Sequence, residues 1–349
     1  MRIIVSPAKQ MSCSEAALPA QGEGALISRA EQVLAALQAL PREQAQRLWG
    51  CSDKLAASAF GATQAAQLRS AAAAPAILAY DGIAYKYMVP QAFTYDEFDY
   101  VQEHLRILSG LYGCLRPMDG IVEHRLEMQH KLQVGGAKNL YEFWGSAIYD
   151  EVMRSNSNRI VVNLASKEYS RCIERYLQPQ DTFVTCTFAQ DTGGKLTQKG
   201  VWCKMARGEM VRYMAVHDIS SVEDLAGFDS PDWEFSEALS TEAELVFLHR
   251  DAGPAHYMYV VRCCDGSLYT GYTTDVERRV AQHNAGTGAK YTRTHRPVQL
   301  VDAAKFSTKH DAMRAEFKFK QLPRNEKDAL LSLSAQGTPL QFVLRQHLL

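Results

Sequence analysis

Residues 257–284 read YMYVVRCCDGSLYTGYTTDVERRVAQHN, and the rest of the chain is best interpreted from this stretch outward. Tyr257–Arg262 is a short apolar run that predicts a strand; Cys264, Asp265 and Gly266 supply a turn, and Ser267–Tyr272 predicts a second strand. Asp275 stands where a helix N-cap belongs, ahead of a predicted helix over Val276–His283. Arg279 and His283 lie four residues apart on that helix and so share a face. The strands carry Tyr259 and Tyr269, and Gly271 lets another backbone or a ligand approach closely. Tyrosines on a strand pair beside a helix presenting a guanidinium and an imidazole make a surface suited to phosphate.

The chain around this stretch has 349 residues, more than one hydrophobic core usually serves, so two domains are expected. The formal net charge is −1, yet the halves differ. Residues 1–250 carry 24 Lys+Arg against 30 Asp+Glu, whereas residues 251–349 carry 14 against 9. A basic C-terminal part suits a polyanionic partner. The eight cysteines have no zinc-ligand spacing and read as reduced thiols packed like small apolar side chains. The chain opens on a short apolar strand rather than a leader. Its longest apolar run, residues 71–80, contains Pro75 and is too short for a bilayer. These features predict a cytoplasmic protein with no membrane association.

Upstream, Ile3–Val5 is expected to be a buried strand closed by Ser6-Pro7-Ala8-Lys9, and Ala76–Ala79 a second one. Thr94–Glu97 is a capping box that starts a helix with Phe98, Val101, Leu105 and Leu108 on one stripe. Gly110 and Gly113 follow it, a pattern compatible either with an ordinary helix C-cap or with a helix-hairpin-helix element. In the second case backbone N–H groups would meet a DNA phosphate, with Arg106 and Arg116 adding charge. Further on, a helix is expected over Leu140–Met153, with Trp144 in the core. A buried strand over Arg159–Ala165 and a helix over Ser166–Leu177 follow. Thr182–Ala189 and Val201–Lys204 predict strands around a Gly193-Gly194 turn, and Ala206–His217 a helix with Lys204, Arg207 and Arg212 near its start. Trp233–Glu237 and Glu244–Leu248 close the set, which lacks regular βαβ spacing and so predicts an α+β or irregular α/β fold.

These blocks carry two resemblances. SPAK at 6–9, SDKLA at 52–56, HLRILSGLYGCLRPMD at 104–119, RLEM at 125–128, LYEFWG at 140–145, NLASKEY at 163–169 and KMARG at 204–208 resemble the YaaA peroxide-stress family across residues 1–249. At His124 that family usually has a tyrosine, and the segment at Asp81–Tyr87 also departs from its pattern. The resemblance implies one irregular α/β domain with a basic cleft, DNA binding through the hairpin, and a part in oxidative-stress defence. Residues 255–331 resemble the GIY-YIG nuclease domain, a short antiparallel sheet flanked by helices. Tyr259 matches its first half-motif, Tyr269-Thr270-Gly271 the second, Arg279 and His283 its helix residues and Glu316 its metal-binding glutamate. A linker at 250–255, marked by Gly253-Pro254, separates a domain over 1–249 from one over 256–331, leaving 332–349 as a C-terminal extension.

The GIY-YIG resemblance implies metal-dependent hydrolysis of DNA phosphodiesters. Glu316, on a helix expected over Thr308–Leu322, would hold one Mg²⁺ or Mn²⁺ ion, since magnesium is satisfied by one or two carboxylates with water. Arg279 would pair with phosphate oxygens, and Tyr259 would be the general base with Tyr269 and His283 assisting. Lys290 and Arg293, with Arg296, Lys318, Lys320, Arg324, Lys327 and Tyr291, would form a basic surround that contacts the DNA backbone without reading sequence. In the N-terminal domain, Lys204 and Arg207 would add DNA contacts. Two rival readings remain: a non-catalytic clamp on nucleic acid, and an N-terminal enzyme using Lys9, Ser166 and Arg207 on a small nucleotide-like molecule.

Overall fold

The computed structural model describes all residues except 14–17, 71–72, 192–194, 229, 251–255, 307–308 and 349, together with the side chain of residue 345. The Gly193-Gly194 turn and the Gly253-Pro254 linker lie outside the described residues. The chain divides into two compact units, Met1–His249 and Arg250–Leu349.

The first unit is built on a mixed sheet. Its strand order is Trp233–Phe235, Glu244–His249, Thr182–Asp191, Ile160–Leu164, Arg2–Val5, Leu105–Ser109 and Gly113–Leu115, with Leu196–Thr197 pairing off this path. The five inner strands are parallel and the two ends antiparallel. Arg2–Val5, centrally placed, has all four residues buried, which is why it reads as a continuous apolar run without alternation. Among the described residues, no helix is long and apolar enough to cross a membrane.

The capping box forms at Thr94 and Glu97, but the helix ends at His104. Leu105–Ser109, fully buried, is instead a strand pairing in parallel with Arg2–Val5. Gly110–Gly113 is therefore the turn of a β-hairpin, with Ser109 opposite Gly113, and not part of a helix-hairpin-helix. A Cβ on Gly110 would lie 2.9 Å from the Leu126 carbonyl oxygen, and Gly113 has φ +74 against the Trp144 ring. These glycines serve close packing in the interior. Arg106 is buried too, and its guanidinium donates to the carbonyls of Gln102, Glu103 and Leu105. Arg116 alone of that group is exposed, with Asp119 3.7 Å away.

Ala76–Ala79 is a short helix rather than a strand, because alanine is a good helix former and Pro75 fits just before its first turn. The expected helix at 140–153 breaks at Gly145, φ +53, into Leu140–Trp144 and Ala147–Met153. Val201–Lys204 is not a strand but the opening of one helix, Gly200–Val216. Lys204 and Arg207 thus sit inside that helix rather than at its N-terminus.

In the second unit, His256–Arg262 is the middle strand of a three-stranded antiparallel sheet, between Leu268–Thr273 and Gln299–Phe306. Strand alternation decides what each face meets. Met258 and Val260 join a core with Ala312, Ala315 and Phe319 of the helix Lys309–Gln321 and with Leu330 and Leu331. Tyr259 and Val261 face the other way, against Val276 and Val280 of the helix Val276–Asn284. Within the C-terminal extension, Leu340, Val343 and Leu344 of a final helix, Leu340–His347, are buried in the first of these cores.

Candidate active site

The helix Val276–Asn284 begins where Asp275 accepts a hydrogen bond from the Arg278 amide, and it ends where Asn284 is tied to Val298, the residue before the strand Gln299–Phe306. The Asn284 side chain donates to the Val298 carbonyl at 3.1 Å and accepts from the Val298 amide at 2.7 Å. This fixes the helix face that carries Arg279 and His283 over Tyr259.

Tyr259 and His283 are both 0% exposed. The Tyr259 hydroxyl lies 2.7 Å from His283 Nε2 and 3.2 Å from Arg279 Nε. His283 Nδ1 lies 2.6 Å from the Thr292 hydroxyl, which in turn donates to the Ala289 carbonyl at 3.0 Å. Donor chemistry gives this chain one direction. With the Thr292 hydroxyl proton given to the Ala289 carbonyl, Thr292 accepts from His283 Nδ1–H, and this sets the tautomer we assign. Neutral His283 then has a bare Nε2, which accepts from Tyr259, while the guanidinium of Arg279, a donor only, gives its Nε–H to the Tyr259 oxygen. The result is a directed path: Arg279 to Tyr259 to His283 to Thr292.

The pKa shifts agree with this assignment. Burial pushes the Tyr259 phenol up to about 12; Arg279 opposes the shift, and the neighbouring Tyr269 and Glu316 add to it. Burial, then the nearby Arg279 cation, pulls the His283 imidazole below its usual value. Both groups are therefore held neutral at neutral pH.

Two glycines make room for the pair. Gly271 stands directly opposite Tyr259 in the sheet, and a Cβ there would lie 2.6 Å from the Tyr259 hydroxyl. A Cβ on Gly288 would lie 2.5 Å from His283 Nδ1. Tyr269 is partly exposed, with its ring centroid 5.2 Å from His283 and 6.4 Å from Tyr259. Beyond it the rings of Tyr291 and His295 stack outward, at centroid separations of 6.3 and 4.4 Å.

Arg279 is half-buried and, among the described residues, has no carboxylate partner. Glu316 is partly buried on the Lys309–Gln321 helix, within electrostatic reach of Tyr259, and forms an ion pair with Lys320 one turn on. Among the described residues there is no cluster of three or more potential metal ligands. The donor set nonetheless fits a magnesium-type ion held by one carboxylate, water and a substrate oxygen, provided that Lys320 releases Glu316.

The basic surround divides in two. Lys290, Arg293 and Arg296 are exposed around the short 3₁₀ turn Tyr291–Thr294. Lys318, Arg324 and Lys327 are engaged, with the carbonyl of Leu348, with Asp328 and the carbonyl of Gly266, and with the carbonyl of Lys320. Thr292 and Gly288 carry no signal in the sequence: a threonine between Tyr291 and Arg293 gains a role only when the 3₁₀ turn folds it against His283.

Residues 255–328 match the GIY-YIG catalytic domain, so the second unit is a domain of nuclease type. The N-terminal two thirds match the family of the peroxide stress protein YaaA over residues 1–239, and the chain belongs to that family. A UPF0246 protein of Lachnoclostridium phytofermentans is 47% identical over 248 residues, 71% of this chain and 96% of its own. Another from Lactiplantibacillus plantarum is 45% identical over 250 residues, 72% of this chain and 100% of its own. Among solved structures, the NMR structure of the UPF0213 protein from Bacillus halodurans is 49% identical, covering 25% of this chain and 90% of its own, at a TM-score of 0.17.

Proposed function

We propose that the second unit hydrolyses DNA phosphodiesters and that the first, a peroxide-stress family domain, brings this activity to DNA under oxidative stress. The observation that carries the reading is the directed hydrogen-bond chain through Tyr259. A phenol held at a pKa of about 12 is a tyrosinate in only about one molecule in 10⁵ at pH 7, too few for a preformed base. The chain offers another route. As water attacks phosphorus, its proton passes to the Tyr259 oxygen while the Tyr259 proton moves to His283 Nε2. The P–O bond to the leaving oxygen breaks, that oxygen takes a proton from water, and His283 returns its own proton through the same phenol to solvent, so the net change is one water added across the P–O bond. Arg279, free of a carboxylate, moves its guanidinium onto the phosphate oxygens and uncovers Tyr259 as it does so. Glu316 would hold one Mg²⁺ or Mn²⁺, which when bound supplies charge for the developing oxyanion. Lys290 and Arg293, exposed beside the site, contact neighbouring phosphates.

The test is cleavage of nicked, flapped, branched and single-stranded DNA with and without Mg²⁺. Tyr259→Phe, Arg279→Ala and Glu316→Ala are each expected to abolish cleavage while DNA binding survives. The complete burial of Tyr259 favours a second reading, a clamp that binds nucleic acid without cutting it. Metal-independent DNA binding with no cleavage of any of these substrates by the wild type would select the clamp.

A further inference from the structure

The first unit holds a cavity of about 470 Å³ at a place its topology singles out. The chain leaves the carboxyl end of Arg2–Val5 towards Leu105–Ser109 on one side. It leaves the neighbouring strand Ile160–Leu164 towards Thr182–Asp191 on the other. Loops that diverge from adjacent parallel strands open a crevice at their carboxyl ends, and ligands of open α/β sheets bind there. The cavity is lined by the segment Ser6–Lys9 that follows the first strand and by Ser166 after the second. Its floor is organised: the Ser166 amide donates to Ser6 Oγ at 2.9 Å, and the Tyr85 hydroxyl to the Ser6 carbonyl at 3.1 Å.

The charges lining this cavity do not balance locally. Two carboxylates are paired with cations, Asp81 with Lys86 and Glu127 with Lys9, while Glu168 accepts from the Gln129 amide. That leaves Arg125, Lys204 and Arg207 with no carboxylate partner among the described residues. Lys204 and Arg207 are three apart on one helix face. The Nε atoms of Arg125 and Arg207 are buried without a hydrogen-bond acceptor among the described residues. A buried guanidinium donor left unpaired is costly, and a native structure keeps one where something else supplies the acceptor. Met11, Met88 and the rings of Tyr80, Tyr85 and Tyr169 give the rest of the wall an apolar and aromatic character. The volume lies within the range of about 300–1,000 Å³ usual for small-molecule sites.

We propose that this cavity binds a small organic phosphate of mononucleotide size, its phosphate on Arg207, Lys204 and Arg125 and its ring against the tyrosines. The site is separate from the nuclease chemistry. Lys9, tied to Glu127, is not among its phosphate ligands.

Calorimetric titration and thermal unfolding of the full chain test the proposal, with adenosine and guanosine 5′-monophosphate, inorganic phosphate and a 5′-phosphorylated DNA oligonucleotide as probes. A nucleotide is expected to bind saturably and more tightly than inorganic phosphate. Arg207→Met should weaken it by about tenfold or more, the loss expected when a charge-assisted hydrogen bond is removed. Glu316→Ala should bind as the wild type does, so failure of the nuclease reading would leave this result untouched. Should Arg207→Met not fold, Lys204→Met on the exposed side of the cavity reads the same loss. Binding of neither nucleotide, binding unchanged in both variants, or binding of the oligonucleotide alone would overturn it.

Discussion

Thr292→Val removes one oxygen and no bulk, and it isolates the step on which the proposed chemistry turns. In the wild type His283 Nδ1–H donates to Thr292 at 2.6 Å in a site with no solvent exposure. Losing the acceptor leaves a buried N–H unsatisfied, a cost of about 1–3 kcal/mol in stability. It also frees the imidazole to place its proton on Nε2, where it would face Tyr259 and close the relay. General-base assistance is worth about 10²–10⁴ in rate, so kcat/KM for cleavage should fall by about 10²-fold or more. Thr292→Ser, which keeps the hydroxyl, should restore most of it. Tyr259→Phe and Thr292→Val act on the same chain, so their effects on rate should combine to less than their sum. Nitrogen-15 shifts of His283 give a readout that a merely structural role would not move: a protonated Nδ1 and bare Nε2 in the wild type, and a changed tautomer balance in Thr292→Val. A wild-type proton on Nε2, or a folded Thr292→Val enzyme with full activity, would refute the reasoning.

Gly271→Ala places a methyl group 2.6 Å from the Tyr259 hydroxyl position and should cost at least tenfold in cleavage, with the Tyr259–His283 bond visibly lengthened in a structure of the variant. Activity should fall as pH drops below neutrality, because His283 must be neutral to accept. Its lowered pKa carries this loss to a pH below the ordinary imidazole range, which a pH–rate profile will show. In the first unit, burial pulls buried His124 down from 6.5 to about 4. A depressed folded pKa contributes stability that is present above pH 6.5 and lost as pH falls towards 4. The loss is about 3 kcal/mol and should be absent from the stability–pH curve of His124→Phe. Replacing both Lys290 and Arg293 by Gln should weaken DNA binding uniformly across sequences and reduce the slope of log K against log salt by about 2.

Local pattern was sufficient where the physics is local. The strand–turn–strand–helix of residues 257–284, the Asp275 cap and the capping box at Thr94 depend on neighbours within a few residues. The shared face of Arg279 and His283 follows from helix spacing. The same reasoning failed at 105–113, where an apolar stripe at helical spacing continued into LRILS. Once Arg2–Val5 offered a parallel partner with both faces covered, sheet pairing outweighed the helical pattern. Arg106, charged and flanking glycines, read as a DNA contact, yet it folds inward onto three carbonyls.

What the sequence settles by itself is which residue types are present, the order in which they come, and the short-range elements that carry them. It could name a tyrosine, an arginine and a histidine for phosphate chemistry. Tertiary packing alone decided that Tyr259 would be sealed from solvent and joined to His283, with Thr292 fixing the tautomer. It also decided that Lys204 and Arg207 would line a cavity at the carboxyl ends of two strands rather than a helix N-terminus. Burial and hydrogen-bond direction are set by groups far apart along the chain, and those quantities determine where a proton rests and which charge lacks a partner.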